Sequence, residues 1–455
     1  MIKARHDDTT EAIRGLSSEL AQLGWYHSIE LPDGGVIPGL QTIDQLRFRM
    51  AQFPVPEDLT GKRVLDIGAW DGWFSFEMER RGATVLAVDA TKQKTLLRAK
   101  GLLNSKVEYL VEDVCRLSPQ KVGYFDIVLF FGVLYHLKHP LLALEKVCAL
   151  TTDMACIESL VTDDPPNSQV PLMEFYEGNE LAGQYDNWTC PNTACLLAFC
   201  RTAGFARVEL NSVHENRAHV TCYRKWPDIA RSGEGPELVT IENPWTRDHN
   251  FSADRDDYLT VWFKTSEKDL NSGNVFVQVG PYGCRPINVS TIGGTTWQAT
   301  CKLAPGLIPG WHDVSLSVRS GGWSNRSRIP VDLSRKERQS PPIFSGALTI
   351  ESVRDGKTYE FNRVRVGVPE SSVSAWVSGL PDGMLNTHVS LRLDGSDLPA
   401  VFVSETDAQG LKQVNAMVPM GMEPGEYLLT VRARDVESRQ VPIRLIDGLA
   451  DHHVD

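Results

Sequence analysis

Val64-Leu65-Asp66-Ile67-Gly68-Ala69-Trp70-Asp71-Gly72 carries an apolar run into an acidic residue and then a glycine turn, and Phe74-Ser75-Phe76-Glu77-Met78 opens a helix. Seventeen residues past Gly72, a second apolar run, Ala83-Thr84-Val85-Leu86-Ala87-Val88, ends in Asp89. The spacing predicts one βαβ unit with a carboxylate at a strand end, placed to accept from a ribose diol. Trp70 stands where a second glycine would let the backbone approach a pyrophosphate. The pattern therefore disfavours NAD and FAD and suits a ligand with a ribose and no phosphates, of which S-adenosylmethionine (SAM) is the common one.

Two further runs extend the unit. Val107-Glu108-Tyr109-Leu110-Val111 leads to Glu112-Asp113-Val114, where an acidic side chain can meet an adenine amino group. Phe125-Asp126-Ile127-Val128-Leu129-Phe130-Phe131 is nearly continuous apolar sequence, as expected of a strand buried on both faces. It ends in Gly132-Val133-Leu134-Tyr135-His136-Leu137, where parallel α/β sheets place their ligands. Four strand ends in order predict an α/β Rossmann-like methyltransferase domain. Its expected cofactor contacts are Asp66, Gly68, Ala69, Trp70, Asp71, Gly72, Asp89, Ala90, Asp113, Val114 and Gly132.

The same residues carry a family resemblance. Asp66–Gly72, Asp89-Ala90-Thr91 and Gly132–His136 resemble the bacterial tRNA wobble-uridine 5-oxyacetic acid synthases and their methyltransferase relatives, as do Gly24-Trp25-Tyr26-His27, Ile43-Asp44, Trp188–Asn192 and Glu215-Asn216-Arg217. The resemblance covers roughly residues 23 to 226. It implies the Rossmann-like fold, an adenosylmethionine-type cofactor and a pocket near Tyr135. The tRNA enzymes hold the extra carboxylate of a carboxylated cofactor with a lysine, a tyrosine and an arginine. Tyr135 and Arg217 match the latter two, but His27 stands at the lysine position, and Leu137 and Lys138 follow Tyr-His in place of the family's basic residues. These departures favour ordinary SAM and methyl transfer.

Methyl transfer from a sulfonium is an in-line displacement, so alignment dominates, and a base adds rate for an oxygen or nitrogen acceptor. His136 is the candidate base, with a backbone-fixed loop histidine as the alternative; Tyr135 orients the acceptor or cofactor, or packs. Between the run Ala155–Val161 and a helix expected at Thr193–Thr202 lies a polar and aromatic insertion of the kind that covers acceptors. Glu174, Tyr176, Asn187 and Trp188 there, with His27 and Arg217, are the candidate substrate residues, and Asn192 the candidate N-cap.

Composition bounds the partners. The chain has 455 residues and a net charge of −12, and residues 1–226 contribute −6, from 23 lysines and arginines against 29 aspartates and glutamates. An RNA-gripping protein usually carries a basic footprint, so tRNA is disfavoured as substrate, and Lys92, Lys94, Arg98 and Lys100 read as a solvated helix face. No apolar run reaches membrane-spanning length, and the N-terminus lacks a signal-peptide core, so a cytoplasmic location is expected. Cys190, Cys195 and Cys200 recur every five residues, about 140° apart on a helix, so no metal site is expected.

After Trp226 the pattern changes to short alternating runs such as Tyr258–Phe263, Val314–Val318 and Tyr427–Val431, the sign of antiparallel sandwiches. An offset of 115 aligns Gly280 with Gly395 and Pro309-Gly310 with Pro424-Gly425. We therefore expect two all-β Ig-like sandwich domains, resembling the transcription-factor-immunoglobulin type at Pro424–Val431. The expected domains are 1–228, 235–335 and 343–448, with a helical lid at the N-terminus and a linker at Ser334–Pro342. Trp245, Trp262, Trp297, Trp311, Trp323 and Trp376 read mainly as core, with sugar stacking as the minority reading. The sandwiches are accessory, for assembly into homo-oligomers or for binding. Three functions stay open: a methyltransferase on a small-molecule or glycan acceptor, a tRNA wobble-uridine modifying enzyme, and a non-catalytic binding or assembly protein.

Overall fold

The computed structural model describes residues 23–448 apart from 164, 167, 229–230, 247–249, 254–256, 334–346, 369–370, 382–383, 385–388, 408, 420–421 and 434–435. The expected N-terminal helical lid and the linker at 334–342 lie outside the described residues. The chain divides into two compact units, Met1–Asp228 with Tyr282–Arg285, and Ile229–Pro281 with Pro286–Asp455.

The first unit begins with a short hairpin of β1 (Ile29–Glu30) and β2 (Val36–Ile37) and a helix at Ile43–Met50, opened by a reciprocal capping box between Thr42 and Gln45. The sheet strands are β3 (Arg63–Ile67), β4 (Thr84–Asp89), β5 (Glu108–Val111), β6 (Phe125–Phe131) and β7 (Thr151–Leu160). A small hairpin of β8 (Met173–Phe175) and β9 (Thr189–Pro191) follows, then β10 (Arg207–His214) and β11 (Arg217–Tyr223). One seven-stranded sheet results, in the order β10-β11-β7-β6-β3-β4-β5. Strands β3 to β7 are parallel, whereas β11 runs antiparallel to both β7 and β10.

This order follows from patterning. Leu65 and Ile67 of β3 join the core on one face, together with Ala143, Leu144 and Val147 of the helix Pro140–Leu150 and Leu196 of the helix Thr193–Thr202. Val64 joins the opposite core, with Phe74 and Met78 of Trp73–Arg80 and Leu96 of Lys94–Leu103. Each fully buried Leu or Phe contributes about 1.5–3 kcal/mol. The central strands can be apolar on both sides because helices cover both. Strand order reverses between β3 and β6, which opens a crevice beyond their carboxyl ends, the usual ligand position in such sheets.

The second unit is all β. Its first half has β12 (Glu237–Glu242), β13 (Tyr258–Lys264) and β14 (Val275–Val279). The strand Tyr282–Cys284 (β15) is counted with the first unit, and β16 (Pro286–Gly293), β17 (Thr296–Lys302), β18 (Gly310–Val318) and β19 (Ser327–Val331) follow. One sheet runs β12-β13-β17-β16, and the facing set holds β14, β18 and β19 in that order. The second half has β20 (Thr349–Asp355), β21 (Arg363–Val366), β22 (Ser372–Ser378), β23 (Val389–Leu393), β24 (Ser396–Val403), β25 (Lys412–Met417), β26 (Gly425–Ala433), β27 (Val436–Glu437) and β28 (Val441–Asp447). Here β20-β22-β25-β24 repeats the first order, and β23-β26-β28 repeats the second. Trp262 faces Gln298 across the ladder as Trp376 faces Gln413, so the duplication extends to individual positions.

One expectation is corrected. None of the six sandwich tryptophans is a core residue: Trp262, Trp297, Trp311 and Trp376 are partly buried, and Trp245 and Trp323 are exposed. The pleat explains it for Trp262, because Leu259, Val261 and Phe263 take the inward positions and leave it on the outer face.

Candidate cofactor and acceptor site

The turn after β3 is built on the end of β4. Gly68 N and Ala69 N donate to Val88 O at 2.8 and 3.2 Å, and Trp70 N donates to Asp89 Oδ2 at 3.2 Å. Gly68 has φ +78, and a Cβ there would run into the Val133 side chain, so glycine is required twice over. Trp70 itself sits at φ 49 and is half exposed, a backbone outlier at the tip of the loop. Asp89 also accepts from Thr91 N and Gln93 Nε2, both at 3.1 Å. An ionised carboxylate has about four lone-pair sites, so Asp89 retains acceptor capacity for a hydroxyl. Asp113 is exposed after β5 and accepts from Cys115 N at 2.8 Å; Val114 behind it is buried and Ala90 exposed. A strained turn, a strand-end carboxylate with spare acceptor sites and an exposed second carboxylate fit a ligand that presents a ribose diol and an adenine amino group.

Asp66 and Asp71 are placed differently from their neighbours. Asp66 is buried and accepts from Ser75 Oγ at 2.6 Å; burial pushes its carboxyl up to about 6 against the opposing pull of that hydrogen bond. Asp71 is fully buried and its Oδ2 accepts from Tyr26 N at 2.8 Å and His27 N at 2.7 Å. It thereby ties the segment preceding β1 to the glycine turn. Burial raises its pKa, against hydrogen bonds from Thr95, His27 and Tyr26.

Past β6, Gly132 has φ +70, and a Cβ on it would meet the Tyr135 hydroxyl at 3.2 Å. Tyr135 is buried, with the Arg217 guanidinium 5.9 Å from its ring centre. Its carbonyl accepts from Trp188 N at 2.7 Å, which fastens the insertion over this strand end. His136 is partly exposed, and its Nδ1 lies 3.1 Å from Asp186 O and 3.4 Å from Asp186 Oδ2.

Beside Tyr135 lies a charge network that sequence reading missed in part. Glu158 of β7, fully buried, pairs with Arg217 Nη1 of β11 at 2.5 Å and with Arg49 from the helix Ile43–Met50. Burial alone would raise the Glu158 carboxyl, but the two guanidiniums hold it below the ordinary range. Arg49 also donates to Gln41 Oε1 at 3.0 Å, and Gln41 Nε2 to Tyr26 Oη at 3.3 Å. His27 is buried against Phe74, and burial first, then the Arg49 charge, lowers its pKa to about 3. A neutral imidazole therefore stands at this position. The available signal for Glu158 was a lone acid inside the apolar run Met154–Leu160.

The insertion residues divide. Glu174 accepts from Tyr176 Oη and from Thr162 Oγ1, the latter at 3.1 Å. Asn187 is buried and spends its amide on Leu181 O and Gln184 Oε1, at 2.8 and 3.2 Å. Trp188 lies under the Lys138 ammonium, 4.1 Å from the ring centre. Asn192 caps the helix Thr193–Thr202 by accepting from Cys195 N at 2.8 Å. All nine cysteines are thiols, and all but Cys115 are buried. Among the described residues no group of three or more His, Cys, Asp or Glu could hold a metal ion, and no helix is long and apolar enough to cross a membrane.

Comparison with known proteins agrees with this geometry. Residues 65–152 match the family described as methyltransferase domain. The tRNA U34 carboxymethyltransferase of Pseudomonas paraeruginosa is 32% identical over 172 residues, which cover 35% of this chain and 52% of that protein. A ubiquinone biosynthesis O-methyltransferase of Xanthomonas oryzae pv. oryzae is 39% identical over 94 residues, covering 20% and 39%. The chain thus spans about half the length, or less, of these curated relatives. Among solved structures, the N-terminal domain of EvdMO1 with SAH and D-fucose aligns at 20% identity and TM-score 0.36, over 46% of this chain and 96% of that one. Strand order, turn and family match together make the first unit a class I methyltransferase domain of the SAM-dependent kind.

Proposed function

We propose that the chain transfers a methyl group from ordinary SAM to an oxygen or nitrogen of a small-molecule or saccharide acceptor. The observation that carries this reading is the internal pairing of Arg49 and Arg217 by Glu158. In the tRNA-type resemblance, Tyr135 and Arg217 would receive the extra carboxylate of a carboxylated cofactor. Here a protein carboxylate already pairs Arg217, and His27 in the lysine position is neutral. Seating a second carboxylate would mean displacing a buried ion pair, at a cost of about 3–5 kcal/mol for the group left unmatched.

Asp89, the turn at Gly68–Gly72 and Asp113 are the residues that would hold SAM, which when bound supplies an electrophilic methyl. The chain's own chemistry centres on His136. With Asp186 O accepting from Nδ1–H, the imidazole keeps its lone pair on Nε2, ready to take a proton from an acceptor hydroxyl or amine. The Asp186 carboxylate then stabilises the imidazolium. The −6 balance of residues 1–226 supports a small acceptor over tRNA, whose phosphates favour a basic partner.

Calorimetric titration with SAM, S-adenosylhomocysteine and carboxylated SAM tests the reading. Preference for the first two is expected. Preference for the carboxylated form would overturn it and make tRNA the leading acceptor, while binding of none would leave a non-catalytic protein.

A further inference from the structure

The outer face of β14, β18 and β19 in the first sandwich carries a cleft of about 580 Å³, lined among others by Gln278, Trp311, Asp313, Trp323, Arg326 and Arg328. The strand period explains how it arises. His312, Val314 and Leu316 of β18 face the core, so Trp311, Asp313 and Ser315 line up on the outside. Across the ladder Ser315 faces Gln278 and Asp313 faces Arg328, which makes a row of polar groups beside the indole. Arg328 and Arg326 hold Asp313 between them, at 3.3 and 3.6 Å.

From this we infer that the first sandwich is a saccharide-binding module, with the cleft at Trp311 and Trp323 as its site. A sugar ring has an apolar C–H face and a rim of hydroxyls, and the cleft offers a partner for each. Trp323 is 41% exposed, and one face of its ring is backed by the Arg231 guanidinium, 4.6 Å from the ring centre. Arg231 in turn donates to Ser317 Oγ at 2.5 Å and to Arg319 O at 3.2 Å, which holds the guanidinium against the indole. The solvent-exposed guanidinium and carboxylate groups of Arg326, Arg328 and Asp313 supply donors and acceptors for hydroxyls. The volume lies within the ~300–1,000 Å³ usual for ligand clefts. A nucleic acid fits poorly, because residues 227–455 carry the remaining −6 of the −12 total.

The fold does not require these residues, and the second sandwich is the evidence within the same molecule. Its ladder places Gly425 opposite Leu445 as the first places Gly310 opposite Val331. At the matching positions Glu426, Leu428 and Pro442 replace Trp311, Asp313 and Arg328. The inference does not rest on methyl transfer.

The test is a glycan array probed with the full chain, followed by tryptophan-fluorescence titration with a retained neutral and a retained hexuronate-containing oligosaccharide. We expect retention of a defined glycan set, with Trp323→Ala weakening binding at least tenfold and Arg328→Gln weakening it less, while SAM titration is unchanged. Glu426→Ala in the second sandwich is expected to leave binding intact. No retained glycan, or retention that Trp311→Ala and Trp323→Ala both leave untouched, would overturn the inference.

Discussion

The imidazole Nδ1 of His136 lies 3.1 Å from the main-chain oxygen of Asp186 and 3.4 Å from its carboxylate Oδ2. Fifty positions apart in sequence, the two are brought together because Trp188 N bonds Tyr135 O and pins the insertion to the end of β6. The contact fixes one tautomer and leaves Nε2 as the basic atom. His136→Ala is expected to lower kcat by about 10²–10⁴ with whichever acceptor a screen of saccharides and small phenols yields. Asp186→Asn retains the main-chain acceptor, so a smaller loss is expected. Full turnover of His136→Ala from pH 6 to 9 would remove the base assignment.

Asp89 is the proposed ribose contact. Replacing it with alanine removes a charged acceptor, worth about 1.5–3 kcal/mol, and SAM affinity measured by calorimetry is expected to fall roughly ten- to a hundredfold. Asp113→Ala, at an exposed position, is expected to cost less. An Asp89→Ala protein that binds SAM as tightly as the wild type would sink the contact.

Glu158→Gln keeps the shape of the network and removes its negative charge. Two arginines are then left without a counter-charge, so chemical denaturation is expected to show a loss of about 3 kcal/mol or more. The same change is expected to raise affinity for carboxylated SAM relative to SAM, because Arg217 loses its internal partner. Unchanged selectivity in the folded variant would mean that Glu158 does not control which cofactor binds. Because the Glu158 carboxyl is held low when folded, its contribution is present above the unfolded value and disappears as pH falls through the folded one.

Asp66 has the opposite sign. Its carboxyl is raised from 3.8 to about 6 in the folded protein, so the folded state holds the extra proton between those values. Stability from this group falls as pH rises across that window, by about 3 kcal/mol in all. His27, lowered from 6.5 to about 3, works the other way, losing stability as pH falls from 6.5. The difference between wild type and Asp66→Asn isolates Asp66: the variant is expected to gain relative stability from pH 4 to 7. A constant difference over that range would contradict the buried, protonated carboxyl.

The sheet was legible because each strand end is punctuated. Phe125–Phe131 is read and observed with the same limits, since a nearly continuous apolar run bounded by glycines leaves little choice. The Thr193–Thr202 helix and its Asn192 cap were equally plain, the cap chemistry being local. The duplication was legible in the Pro-Gly turns, which open β18 and β26 alike. What the chain alone did not disclose depends on long-range meetings. Arg49 lies 109 positions from Glu158, and nothing in its own helix marks it off from Arg47, which pairs with exposed Glu30. The tryptophans were misassigned for a related reason: composition cannot tell which face of a pleat an indole occupies, and strand register can.

Asp71 offers a last consequence. One carboxylate oxygen holds the amides of Tyr26 and His27, so the segment before β1 is latched to the glycine turn after β3. The amide protons of Tyr26 and His27 become the clock of that latch. Their exchange with deuterium is expected to slow when SAM is added, and exchange unchanged by SAM would separate the latch from the cofactor site.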